Sequence, residues 1–413
     1  MEIITVIIYL SIYLGLFATT FYILSFVHYS RKKREFYTDK ELPAVSVIIP
    51  AYNEEETIEK TLKSVLKSDY PDFDVIVIDD GSTDNTLKIA RKFENEKVRV
   101  FHKENGGKGT ALNLGIKRAK GKIIFTMDAD TTVDTKSMKN MVRFFKDEEI
   151  MCVSPAIVID KPKNILQRVQ YMEYLLGLFL RKAFASLKSI YITPGAFSAY
   201  RKTFFDKYGL YDVGNPTEDL EMALRIQYKG FYTENCPEAP VYTIAPSKFK
   251  ELMIQRRRWY FGLLKNLWTY RKIIGKKYGD LGSFVIPTAL VSIILSVIVV
   301  VYMFFKTVFE VKDTLVFYQS INFDFSSVFN INLYFIERVL FIFFSKPVVL
   351  FILLFMAVLG FYMHYASKKI GRLSGLFVNL VLFYLFFAIL FGLWWVITLF
   401  YTAFSKTVKW REL

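Results

Sequence analysis

The chain has 413 residues, 53% of them apolar and 17% aromatic; 54 Lys and Arg against 39 Asp and Glu leave a net charge of +15. That composition excludes a disordered or fibrous chain and fits a globular domain joined to a membrane region. Two cysteines and three histidines exclude a disulfide scaffold and a Cys/His zinc cluster, so a metal would rest on oxygen ligands. The basic excess calls for an anionic partner: nucleic acid, phospholipid headgroups or a phosphorylated small molecule.

The first predicted element is the charge-free run Ile3 to Val27, long enough to span a bilayer. The cluster Arg31-Lys32-Lys33-Arg34 follows this run instead of preceding it, so the segment reads as an uncleaved anchor, with the chain beyond it cytoplasmic. From Lys40 to about Tyr270 the chain turns polar. Strands are predicted at Val45–Ile49, Val75–Ile78, Val98–Phe101, Ile123–Met127 and Cys152–Ala156, and helices at Glu54–Ser68, Asp84–Phe93, Lys108–Ala119 and Ser137–Phe145. This alternation implies a mostly parallel sheet covered on both faces. Asn164 to Leu187 carries Leu, Tyr and Phe at helical spacing and reads as an amphipathic helix against the domain or the membrane surface.

Further spans are expected at Phe284–Phe305, Val348–His364 and Leu376–Leu399, with Leu333–Phe344, which carries Glu337 and Arg338, as an interfacial or re-entrant helix. Lys368, Lys369 and Arg372 put the loop between the last two on the cytoplasmic side. Lys406, Lys409 and Arg411 then fall outside, against the positive-inside rule. The expected organisation is a membrane helix at 1–30, a globular domain at 40–247, an interfacial helix region at 248–280 and about three spans within 281–413.

In a parallel sheet, ligands bind beyond the carboxyl ends of the strands. There the sequence places Tyr52-Asn53-Glu54, then Asp79-Asp80-Gly81-Ser82-Thr83-Asp84, then Gly106-Gly107-Lys108-Gly109, then Asp128-Ala129-Asp130. Asp128 and Asp130, two apart on extended chain, face the same way and could hold Mg²⁺ or Mn²⁺; the pair is also an ordinary turn. Asp79 and Asp80 could accept hydrogen bonds from a base, or belong to a helix start capped by Asp84. Lys108 could meet phosphate, or simply follow a glycine turn. No GxGxxG follows the first strand and no GxxxxGK[ST] occurs, which removes the main support for dehydrogenase and P-loop readings.

Thr217-Glu218-Asp219 opens the helical run Leu220 to Lys229. Thr217 could cap it, with Glu218 and Asp219 matching its positive end, or a carboxylate there could be a general base. Gln255-Arg256-Arg257-Arg258-Trp259 opens an aromatic, basic helix, either a membrane-surface element or a set of groups that neutralise a leaving diphosphate and stack on a sugar. His28, His102 and His364 have no partner at metal-ligand spacing.

Taken in order, Val45 to Glu54, VIDDGSTDNT (Val77 to Thr86), Asp128-Ala129-Asp130, Thr217-Glu218-Asp219 and Gln255 to Trp259 resemble glycosyltransferase family 2. The spacing is similar to that of its membrane-embedded processive branch of hyaluronan, chitin, cellulose and poly-N-acetylglucosamine synthases. KGTALN (Lys108 to Asn113) and FSAYR (Phe197 to Arg201) are similar to segments of that branch. The resemblance implies an α/β, Rossmann-like GT-A domain on the cytoplasmic side of an α-helical transmembrane bundle. It also implies inverting, metal-dependent transfer from a nucleotide sugar, UDP-glucose or UDP-N-acetylglucosamine by likeness to those relatives. By position, Tyr52, Glu54 and Asp80 would hold the nucleoside and Lys108 would touch the donor. Asp128 and Asp130 would bind the diphosphate through Mg²⁺ or Mn²⁺. Asp219 would be the base, with Glu218 beside it, and Gln255, Arg258 and Trp259 would close over diphosphate and acceptor.

The expected partners are thus a nucleotide sugar, a glycan or lipid acceptor and the lipid bilayer, and no nucleic acid. A growing β-linked polysaccharide, with possible export, is the leading acceptor. Single transfer to a membrane lipid, as in ceramide glucosyltransferase-like proteins, is the alternative. A basic membrane protein without chemistry, binding anionic lipid or nucleic acid, is the third reading, and the dispersed Lys and Arg and the acids at the strand ends argue against it.

Overall fold

The structure is a computed structural model that describes residues 3–30, 34–322, 333–371 and 375–404. The basic residues Arg31 to Lys33, Arg372, Lys406, Lys409 and Arg411 lie outside the described residues. In chain order come α1 (Ile3–Ser30), β1 (Val45–Ala51), α2 (Ile58–Leu66), β2 (Phe73–Asp79), α3 (Thr86–Arg91), β3 (Val98–His102), α4 (Lys108–Arg118), β4 (Ile123–Thr126), β5 (Thr132–Val133) and α5 (Ser137–Val142). They are followed by β6 (Ile150–Ile159), α6 (Ile165–Ser186), β7 (Ser198–Arg201), α7 (Lys202–Tyr208), α8 (Glu218–Tyr228), β8 (Tyr232–Thr243) and α9 (Phe249–Thr269). Then come α10 (Ile286–Ser320), α11 (Leu333–Phe344), α12 (Pro347–Lys369) and α13 (Leu376–Phe404).

The strands form one sheet in the order β3-β2-β1-β4-β7-β6-β8-β5. The first four are parallel, as the sequence predicts. The far half is mixed, because β7 runs antiparallel to both β4 and β6 and β5 runs antiparallel to β8. Successive side chains of β1 serve opposite faces, as strand geometry demands. Val45, Val47 and Ile49 pack with Ile58, Leu62 and Val65 of α2, whereas Ile48 packs with Leu112 and Ile116 of α4. Residues 54–57, predicted as helix, form turns instead: the Glu54 carbonyl accepts from the amides of Thr57 and Ile58, and α2 begins only there.

Helix α6 joins the sheet to the apolar helices. Asn164 caps it through the Gln167 amide (2.9 Å). One side packs with β6 through Ala156 and Val158; the other meets α1, α12 and α13, where the Phe179 ring stacks on Tyr362 at 3.7 Å. Four helical stretches among the described residues are long and apolar enough to cross a bilayer: Ile3–Tyr29, Leu281–Ser320, Pro347–Lys369 and Leu376–Thr402. They contain the four predicted spans, although α10 continues as helix past Lys306, beyond the predicted end at Phe305.

A buried carboxylate ties α1 to this assembly. Glu234 of β8, 1% exposed, meets Arg34 at 2.7 Å and Lys182 of α6 at 3.0 Å, and accepts from the Tyr29 hydroxyl at 2.8 Å. Together the two cations hold its pKa below the ordinary glutamate value against the upward pull of burial. Removing one member of a buried ionic cluster strands the others, at a cost of about 3–5 kcal/mol. Glu234→Ala should therefore lower the thermal midpoint of the detergent-solubilised protein far more than Glu41→Ala, which removes an exposed pair with Lys146. Equal midpoints for the two variants would contradict the role assigned to this cluster.

Candidate active site

Parallel register brings four loops to one edge. Ala51 pairs with Asp79, Asp79 with His102, and Ile48 with Thr126, so residues 52–57, 80–85, 103–107 and 127–131 emerge side by side. Asn53, at φ 54°, stitches the first two loops together. Its amide donates to Ser82 Oγ (3.0 Å) and its Oδ1 accepts from the Thr83 amide (2.8 Å). Half-buried Tyr52 sits beside it, and the Glu54 carboxylate accepts from Thr57 Oγ1 at 2.8 Å. Asp84 accepts from the Thr86 amide (2.9 Å), but the residue at the N-cap of α3 is Asn85, not Asp84 as expected.

Asp79 and Asp80 divide the work. Asp80 accepts from the Gly106 (3.1 Å) and Gly107 (2.8 Å) amides and from Lys103, which fixes the glycine loop ahead of α4. Asp79 is sealed from solvent; one oxygen meets His102 Nδ1 at 2.7 Å and the other has no partner among the described residues. His102, to which the sequence assigned nothing, thus has a carboxylate partner on the adjacent strand.

Lys108, the first residue of α4, is the centre of charge. Its Nζ lies 2.6 Å from Asp128 Oδ1 and 3.3 Å from Glu218 Oε1, and Asp219 lies within its field. Burial pulls the ammonium pKa down, but these three carboxylates more than reverse that and hold it charged. Asp219 is half-buried beside it. Burial and then Glu218 push its carboxyl up to about 6, opposed by Lys108, the Leu220 amide (2.8 Å from Oδ1) and Arg258. Asp219 Oδ2 faces Gly195: a Cβ there would stand 3.0 Å from both that oxygen and Lys108 Nζ, so glycine keeps this space clear. The turn Thr193-Pro194-Gly195 therefore belongs to the site, with Thr193 Oγ1 donating to the Asp219 carbonyl at 2.9 Å. Its only sequence signal was a Pro-Gly pair.

Asp130 lies on the same edge. Burial, then Asp128 and Glu54, push its carboxyl up to about 7. Such crowding of carboxylate charge fits a hard divalent ion, which takes oxygen ligands and relieves that repulsion. Among the described residues no group of three His, Cys, Asp or Glu side chains is placed to hold a metal ion, so an ion held by Asp128 and Asp130 would complete its shell with substrate oxygens or water.

Helix α9 closes the site. Thr217 does not cap α8, as the sequence had allowed; Asn215 Oδ1 accepts from its amide, and its hydroxyl instead meets Asn266 Nδ2 at 3.0 Å. Asn215 and Asn266 also pair directly at 2.9 Å. A Cβ on Gly262 would come within 2.2 Å of Thr217 Oγ1, so only glycine permits this close approach of helix and loop. Arg258 Nη1 donates to the Pro216 carbonyl at 3.2 Å. Gln255 Oε1 is buried without a partner among the described residues, and the Trp259 ring lies 4.2 Å from the Arg256 guanidinium, which also pairs with Glu173 at 2.7 Å. Asp128, Glu218 and Asp219 thus converge on Lys108, with Arg258 acting on Asp219; Asp79 and Asp80 serve the neighbouring loops.

Comparison with known proteins adds three findings. Residues 46–209 match the model of glycosyl transferase family 2. The chain is 31% identical over 260 residues to poly-beta-1,6-N-acetyl-D-glucosamine synthase of Staphylococcus aureus (strain COL), covering 62% of this chain and 63% of that protein. It is 31% identical over 238 residues to the synthase of the same description from Staphylococcus epidermidis, covering 56% of this chain and 58% of that one. The match thus spans less than two thirds of these relatives' length. In overall structure it is similar to a mannosyltransferase, PcManGT from Pyrobaculum calidifontis, solved in complex with GDP-Man and Mn²⁺. The TM-score is 0.57 at 17% identity, over 97% of this chain and 99% of that one, a likeness of fold. The order of the strands, the loops gathered at one sheet edge and the match of residues 46–209 to glycosyl transferase family 2 agree on a GT-A glycosyltransferase fold for this domain.

Proposed function

We propose that this protein transfers a sugar from a nucleotide sugar, UDP-glucose or UDP-N-acetylglucosamine, to a growing β-linked polysaccharide at the membrane. The observation that carries this reading is the half-buried Asp219 carboxylate, whose Oδ2 stands over Gly195 beside Lys108 and Asp128. The family match and the identity to the poly-N-acetylglucosamine synthases support the reaction class.

Chemically, Asp219 Oδ2 would take the proton of an acceptor hydroxyl as that oxygen bonds to the donor's anomeric carbon. The bond from that carbon to the diphosphate breaks, and attack from the opposite face turns an α-linked donor into a β-linked product. Lys108 and Arg258 would stabilise the negative charge that develops on the leaving group. Asp128 and Asp130 would hold Mg²⁺ or Mn²⁺, which when bound supplies further charge neutralisation to the diphosphate. Tyr52, Glu54 and the Asp79-Asp80 strand end would receive the nucleoside, and Gln255 and Trp259 the acceptor. The four apolar helices support a multi-pass protein in the cell membrane with this domain on the cytoplasmic side.

A membrane-lipid acceptor is the second reading. It is favoured by Tyr260, next to Trp259, which stacks on Trp395 of apolar α13 at 4.4 Å and so sets the acceptor end against the membrane helices.

Three outcomes follow. Asp219→Asn should lower kcat by about 10²–10⁴-fold with little change in donor KM; retained activity would remove the base. Because Asp219 must be ionised to act, activity should rise with pH through about 6 and level off above it. A rate that falls with pH across that interval would contradict this. Gly195→Ala should abolish transfer while leaving the thermal midpoint near wild type, and wild-type activity in that variant would mean the space serves no substrate. Nucleotide release from a panel of sugar donors, with and without Mn²⁺, identifies the donor. The length of the labelled product separates polymer from a singly glycosylated lipid.

A further inference from the structure

Four side chains from three helices meet beside the first turns of α9. The Arg256 guanidinium lies over the Trp259 ring at 4.2 Å and over the Trp394 ring at 5.2 Å, and its Nη2 donates to Glu173 Oε2 at 2.7 Å. Arg256 and Trp259 stand three apart on α9 and so share one face of that helix. Glu173 belongs to α6 and Trp394 to apolar α13. Arg256 and Trp394 are each 1% exposed, whereas Trp259 keeps part of its surface open.

Packing alone does not call for an arginine here. A guanidinium taken out of water needs a counter-charge and acceptors for its donors. Glu173 supplies the charge, although burial pushes its carboxyl pKa up against the opposing pull of Arg256. Arg256 Nε has no hydrogen-bond partner among the described residues. Apolar side chains of similar volume could fill the same place between two indoles, and such a replacement of a buried pair is often neutral or stabilising. What the arginine adds is direction. A cation is drawn to the face of an indole, and this one is pinned by a carboxylate on α6 and by a second indole on α13. The orientation of Trp259 is therefore set by groups on two other helices. The next residue repeats the registration, since Tyr260 stacks on Trp395 of α13 at 4.4 Å.

We propose that Arg256 is a positioning residue for the acceptor: supported by Glu173 and Trp394, it holds the Trp259 ring at the angle on which an acceptor sugar stacks. This assignment rests on the transfer site proposed above and deepens it by naming what fixes the acceptor-side ring. The neighbouring Arg258 has a different duty, because it acts on Asp219 and donates to the Pro216 carbonyl. Two arginines of one short segment thus serve the two ends of the site, Arg258 at the base and Arg256 behind the stacking ring.

The test uses the full-length protein in neutral detergent, with a β-linked trimer of N-acetylglucosamine and UDP as probes, binding read by calorimetry and stability by the thermal midpoint. The decisive variant is the pair Arg256→Met with Glu173→Leu, which removes both buried charges and keeps the volume. It should keep a midpoint near wild type and unchanged UDP binding, yet bind the trimer at least about tenfold more weakly, the scale of a desolvated cation–π contact. Arg256→Gln alone leaves Glu173 buried and unpaired, so it should lower the midpoint as well as the trimer affinity. If the double variant fails to fold, Trp394→Phe carries the comparison: it keeps a ring but holds the cation less well, and should weaken the trimer severalfold with UDP binding unchanged. Wild-type trimer affinity in the double variant, or in Trp394→Phe where that one carries the comparison, would overturn the proposal and leave the pair a structural one. An equal loss of UDP binding would overturn it too, by assigning Arg256 to the donor. A wild type that binds UDP but not the trimer would remove the acceptor assignment alone, whereas one that binds neither would remove the transfer site with it.

Discussion

One half-buried ammonium holds the site together. Lys108 stands between the Asp128 carboxylate, which ends the parallel half of the sheet, and Glu218, which opens α8. Without that positive charge, Asp128, Glu218 and Asp219 would repel one another in a poorly solvated space. With it they are gathered beside Gly195, whose missing side chain leaves room for the Asp219 carboxylate and the Lys108 ammonium. The same attraction makes α4 a positioning element, because Asp80 fixes the Gly106-Gly107 turn from which Lys108 projects. The glycine loop thus orders the lysine, and the lysine orders the carboxylates.

A second constraint comes from the helices. The Gln255-to-Trp259 segment reaches the site because Gly262 lets α9 approach the Thr217 loop and because Asn266 satisfies Asn215 and Thr217. Buried amides and hydroxyls of this kind must be paired, so the contact fixes one arrangement of helix and loop. Helix α6 does the same for the apolar helices, with the sheet on one side and α1, α12 and α13 on the other. The transfer site and the apolar helices therefore share one rigid frame.

Much of this was legible in the sequence, and the physical reason is periodicity. Val45 to Ile49 and Val75 to Ile78 are short apolar runs bounded by turn residues, and they are strands; Asp128 and Asp130 follow the fourth strand, as read. What stayed illegible depends on distant partners. β8 contains Pro237 and Pro240 and a charged Glu234, features that argue against an interior strand. It lies inside because Arg34 and Lys182 neutralise that glutamate. Thr217 has the composition of a cap, yet its hydroxyl is claimed by Asn266 from the next helix, α9. The mixed half of the sheet arises from β7, only four residues long and too short to announce its direction. Gly195 carried only the signal of a Pro-Gly turn, since its importance is the absence of a side chain beside two charged groups.

The most direct measurement is an experimental structure of the full-length protein with UDP and Mn²⁺. The account predicts the diphosphate and the ion against Asp128 and Asp130, the nucleoside against Tyr52, Glu54 and the Asp79-Asp80 strand end, and Asp219 Oδ2 standing over Gly195. A nucleotide seated elsewhere on the molecule, with the edge around Lys108 empty at saturating ligand, would contradict it.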